Sequence, residues 1–182
     1  MAKDRLNFNT KLHLACSDDD IRPVMQCVHF KNGSAYASNG FMIIKQSLEF
    51  HFVENIENLE GKAIHAENFK MIIKYQFAKA TDEGIDCVSE DGGKAFFPYH
   101  DISKEKPIDY DFIFGQVKTY DPVSYIDLTP SIVVNVIGSM YLPNGQLRLR
   151  FANEGSFIVA DATGVDGQIA VIMPVVLQES LF

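Results

Sequence analysis

The chain has 182 residues, of which 47% are hydrophobic and 22% charged, and its net charge is −8. That is ample apolar material for a continuous core and too mixed a composition for a disordered chain. The acidic balance excludes a surface that attracts nucleic acid everywhere, so any DNA contact must come from a local basic stripe.

Cys16, Cys27 and Cys87 stand far apart with no paired spacing. This points to reduced thiols in the cytoplasm rather than a disulfide or zinc framework. Cys16 and Cys27 have apolar flanks and read as buried, inert thiols. The first ten residues carry no apolar leader, and no run approaches the roughly 20 apolar residues of a membrane span, so no membrane association is expected.

In chain order, Asn7 to Ser17 reads as a strand, with Leu12 and Leu14 alternating with Lys11 and His13. Asp18, Asp19, Asp20 and Pro23 impose a turn. Strands Val24 to Lys31 and Ser34 to Asn39 meet across Asn32-Gly33, the pair that best tolerates the positive φ angles of a tight hairpin. A strand from Phe41 to Leu48 follows, then a polar connection and a short strand from Ala63 to His65. From Ala66 to Lys79 the spacing predicts a helix: Phe69, Ile72, Ile73 and Phe77 share one face, and Lys70 and Lys74 lie a turn apart on the other. Ile85 to Ser89, Lys94 to Tyr99 and Tyr110 to Phe114 read as strands. A further strand from Ser124 to Leu128 precedes Thr129-Pro130, a cap and first-turn pair, and a helix with the stripe Ile132, Val133, Val136, Ile137 and Met140. Strands at Leu147 to Phe151, Ser156 to Asp161 and Gln168 to Met173 close the chain. A strand, a helix and three strands thus recur about every 60 residues, with the first copy short of its helix, which implies a repeat architecture of α+β class.

Three stretches, Gly33 to Ile44, Ala66 to Tyr75 with Ile108-Asp109-Tyr110, and Gln168 to Val175, resemble the bacterial DNA polymerase III β subunit, the DNA sliding clamp. Each is short and mostly apolar, so the resemblance lies in their order and spacing. It implies a DNA clamp-like fold of repeated half-domains with antiparallel sheets. Residues 1–118 are similar to a complete middle domain, 119–177 to the second half of the last domain, and 178–182 form a C-terminal tail.

The resemblance also implies function. A clamp is a non-enzymatic replication accessory that holds DNA without sequence specificity and recruits partners through an apolar pocket. The positions matching that pocket are Ser38, Gly40, Phe41, Ile43, Ile108, Ile113, Val171 and Met173, which read equally as ordinary strand residues facing a core. Phe41 and Met42 replace a His-Arg pair of the family, and Ile108 replaces a proline. The implied DNA-facing residues are Lys70, Lys74 and Lys79, which alone read as solvated surface lysines. The helix from Thr129 offers Ser131, Asn135 and Ser139 and no cation. The tail resembles the peptide by which polymerases and repair proteins bind clamps, with Gln178, Leu181 and Phe182 as its anchors. It would dock on another copy or on a clamp, making a homo-oligomer or a clamp complex, or fray freely.

The sequence offers no catalytic constellation. Its five histidines are scattered, it has neither a phosphate loop nor a nucleophile elbow, and the run Asp18 to Asp20 reads as a turn before it reads as a metal site. No cofactor is expected. The alternative to DNA binding is a clamp-derived module that binds a replication protein or a host clamp only.

Overall fold

The computed structural model describes residues 6–117, 128–143, 145–152, 157–163 and 165–173. The expected strand at 124–127 and the tail residues Gln178, Leu181 and Phe182 lie outside them.

Strands β1 (Cys27–Lys31), β2 (Ser34–Ser38) and β3 (Met42–Ser47) form a meander. Asn32 and Gly33 turn the first hairpin with φ of 50° and 65°, which the short polar asparagine tolerates and glycine, lacking a Cβ, adopts freely. β4 (Ala63–His65) leads directly into α1 (Ala66–Ile72), and β5 (Phe77–Ala80), β6 (Gly84–Val88) and β7 (Lys94–Pro98) form a second meander. After α2 (Tyr110–Gly115) and α3 (Pro130–Ser139) comes a third, β8 (Leu147–Ala152), β9 (Phe157–Ala162) and β10 (Gln168–Ile172).

The first and third meanders merge into one seven-stranded antiparallel sheet, ordered β4-β1-β2-β3-β10-β9-β8, while β5-β6-β7 stands as a separate three-stranded sheet. The join at β3 and β10 sets Ile43 opposite Val171 and Gln46 opposite Gln168. On one side of the large sheet, a continuous core gathers Phe8, Leu12, Phe30, Ile44, Phe69, Ile72, Ile132 and Val136 under the helices. A smaller cluster of Tyr36, Ile43, Tyr110 and Val171 lies apart from it.

Four expectations are corrected. Asn7 to Ser17 is not a strand: Leu12–Ala15 makes a single 3-10 turn, and only Leu6 bridges to Phe77. This turn occupies the place of the missing first helix, wedged between α1 and α3. Pro23–Gln26 is also a 3-10 turn, because proline suits a first helical turn better than a ladder position. The helix from Ala66 stops at Ile72, and Phe77 begins a strand in which buried Ala78 and Ala80 alternate with half-buried Phe77 and exposed Lys79. Tyr110 to Phe114 is helical: Asp109 caps it by accepting from the Phe112 N–H at 2.9 Å, and Tyr110, Ile113 and Phe114 share one face.

Candidate functional site

On the helix side, the Leu12–Ala15 turn, α1 and the segment after α3 enclose a cavity of about 570 Å³, lined by Lys11, His13, Lys70, Lys74, Tyr141 and apolar neighbours. Among the described residues no carboxylate lines it, in a protein of net charge −8. Lys70 leans on Glu67 at 3.4 Å within its own helix. Lys74 reaches only the Met71 sulfur at 3.5 Å, and among the described residues neither Lys74 nor Lys11 has a carboxylate at ion-pair distance. The three lysines line one cavity because Leu12, Phe69 and Ile72 are fully buried and fix the turn against α1.

Lys79 is not among them. It lies on β5 and pairs with Glu54 at 2.7 Å, and the helix expected to carry it past Lys74 ends before it. The sequence reading missed Lys11, His13 and Tyr141. Lys11 was hidden by the apparent strand alternation around it, and no local pattern announces that its turn packs on α1.

On α3, the solvent-facing side is apolar rather than basic, with Val134 and Ile137 exposed by 65% and 46%. Ser139 is buried, so only Ser131 of the three expected polar residues stands fully exposed.

The eight residues matched to a partner pocket fall in one place, around the end of the β3–β10 join. Ile43 and Val171 are fully buried and packed with Ile108 and Ile113. The Ser38 hydroxyl donates to the Met42 carbonyl at 2.8 Å and accepts from the Gly40 N–H at 3.2 Å, which tightens the turn at Phe41. The Met173 N–H donates to the Phe41 carbonyl at 2.9 Å. α2 lies over this floor, with Tyr110 stacked on Tyr36 at 4.4 Å between ring centres. At the edge of this floor Phe41 is 58% exposed.

The cysteines offer no reactive thiolate. Burial pushes Cys27 and Cys87 up to about 12, and Cys16 higher still, so all three remain thiols at neutral pH. Among the described residues no group of acidic, histidine or cysteine side chains could hold a metal ion, and no helix is long and apolar enough to cross a membrane.

No protein-family model matches the sequence, and neither does any curated protein. Solved structures do match. The DNA polymerase sliding clamp of Pseudomonas aeruginosa, determined with a ligand, aligns at TM-score 0.61 and 13% identity over 96% of this chain and 67% of that one. The fold is that of a sliding clamp. A second structure, of the DNA polymerase III subunit beta from the same organism, aligns at TM-score 0.61 and 11% identity over 90% of this chain and 62% of that one. The sliding clamp of Bacillus subtilis aligns at TM-score 0.56 and 9% identity over 91% of this chain and 61% of that one. The chain therefore spans about two thirds of the length of the clamp chains it matches. Within the clamp fold, the lysine-lined cavity lies on the helix side, and the apolar junction lies where the first and third meanders meet.

Proposed function

We propose that this protein is a non-enzymatic, clamp-like replication accessory that holds duplex DNA without reading its sequence and recruits replication partners at the β3–β10 junction. One observation carries the DNA reading: Lys11, Lys70 and Lys74 come from two parts of the chain to a single cavity, lined by no carboxylate among the described residues, on the helix side of a clamp fold. Ammonium groups that neutralise phosphates release counterions, which gives affinity that is sequence-independent and falls with salt. Sliding requires this kind of contact.

The partner reading assigns Ser38, Gly40, Phe41, Ile43, Ile108, Ile113, Val171 and Met173 to a docking site for an apolar peptide, with Phe41 exposed at its edge and Ser38, Ile43 and Val171 as buried support beneath. Exposed Phe41 supplies an aromatic edge that such a peptide would cover. The tail, through Gln178, Leu181 and Phe182, is the segment that would reach into such a site on another copy or on a clamp. We take 1–118 and 119–177 as the domains of the chain; a ring built from such units would join several copies in the cytoplasm, and the apolar side of α3 supports self-association.

Retention on nicked circular DNA tests this. Salt-sensitive retention that is lost when the circle is linearised supports encirclement. A second reading, a module that binds a replication protein or a host clamp and never touches DNA, is favoured by α3, whose exposed side carries Val134 and Ile137 and no cation. Failure to bind DNA at low salt selects it.

A further inference from the structure

The lysine-lined cavity contains a group that simple phosphate contact does not use. His13 lies on the Leu12–Ala15 turn with its ring 6.4 Å from that of Phe69, and its Nδ1 is buried with no partner among the described residues. The charges that face it are Lys11, just before its own turn, Lys70 and Glu67 from α1, and Lys74 from the turn that follows α1, while Tyr141 lines the cavity from the segment after α3. Burial first, and then Lys70, Lys11 and Lys74, hold the imidazole below its ordinary range, with Glu67 opposing them. At neutral pH the empty site is therefore a neutral ring among three ammonium groups.

We infer that this cavity seats one phosphate group and that His13 takes up a proton as the seat fills. An oxyanion placed among Lys11, Lys70 and Lys74 cancels the repulsion that disfavours imidazolium. Protonation turns the ring into a fourth positive charge lining the cavity that holds the oxyanion. No covalent bond changes; a solvent proton moves to the ring and the phosphate stays an anion. The inference rests on the DNA reading only for the source of the phosphate, which is either the duplex backbone or free phosphate. A backbone diester keeps a constant charge between pH 5 and 8, so any pH dependence of duplex binding belongs to the protein.

The full chain is followed by NMR of its five histidine rings over that range, alone, with inorganic phosphate, and with a short blunt duplex at constant ionic strength. The seat predicts that either ligand raises the His13 midpoint by about one unit, while the other four rings stay put, and that the duplex binds several-fold, up to about 10-fold, more tightly at pH 6 than at pH 8. In His13→Asn the ratio between those two affinities falls toward one. Salt-dependent duplex binding that leaves the His13 midpoint unmoved overturns the seat and spares the DNA reading. A shift with phosphate and no duplex binding keeps the seat, assigns it to free phosphate and ends the DNA reading. No shift and no binding with either ligand overturns both.

Discussion

Gln46 and Gln168 are almost fully buried and face each other across the β3–β10 join, where the Gln46 amide donates to Gln168 Oε1. The same Gln168 oxygen accepts from the Tyr141 N–H at 2.7 Å, and its Nε2 donates to the Tyr141 carbonyl at 2.9 Å. Gln46 also donates to the Ser139 carbonyl at 3.2 Å. This network fastens the third meander to the first and sets Tyr141 beside the lysines. Gln168→Leu removes three hydrogen bonds and leaves the Gln46 amide short of an acceptor, at a cost of about 3 kcal/mol. With a urea m-value of about 2 kcal/mol/M, the unfolding midpoint should fall by about 1.5 M. Gln46→Leu should cost about 2 kcal/mol by the same argument. The double variant leaves no amide stranded between the strands, so it should be more stable than the sum of the two by about 1–2 kcal/mol. Urea unfolding of the four proteins gives the cycle directly. Additivity within about 0.5 kcal/mol would refute the claim that the two amides act as a unit.

Two further outcomes concern single buried groups. Tyr110 buries a hydroxyl that has no partner among the described residues while its ring stacks on Tyr36, so Tyr110→Phe should stabilise by about 1 kcal/mol, read as a higher thermal midpoint; a lower midpoint would show that the hydroxyl is bonded. Burial pushes His51 down to about 4, below its unfolded value, so the unfolded chain binds the extra proton. Stability is therefore whole above pH 6.5 and falls as pH drops from 6.5 toward 4, by about 3 kcal/mol at most from this residue. His51→Gln should flatten that slope in urea titrations at several pH values, and an unchanged slope would assign the acid sensitivity elsewhere.

What the sequence made legible follows from how local each signal is. The Asn32-Gly33 hairpin, β4, β6 to β10 and α3 announce themselves through turn chemistry and periodicity within a few residues. Lys11 to Leu14 misled because two apolar residues alternating with two polar ones suit a strand as well as the turn that packing on Phe69 and Ile132 selects. Tyr110 to Phe114 misled in the other direction: an aromatic run reads as β, yet the Asp109 cap and the i, i+3, i+4 spacing of Tyr110, Ile113 and Phe114 were present. Phe77 was absorbed into the α1 stripe because its spacing fits a helix, although Phe77 to Ala80 alternates with period two. At the candidate site, Lys70 and Lys74 were readable as a helix face, whereas the contribution of Lys11, His13 and Tyr141 exists only once three distant segments pack together. The pocket positions were reached through resemblance, and their convergence depends on β3 pairing with β10, which no local pattern encodes.

The most direct test of the account is the affinity of the full chain for a short duplex measured against salt concentration. Three lysines at the cavity predict a log–log slope of about −2 to −3, with each of Lys11→Ala, Lys70→Ala and Lys74→Ala shallower by about one and Lys79→Ala unchanged. No binding at low salt, or a triple lysine variant with the parent's slope, would contradict it.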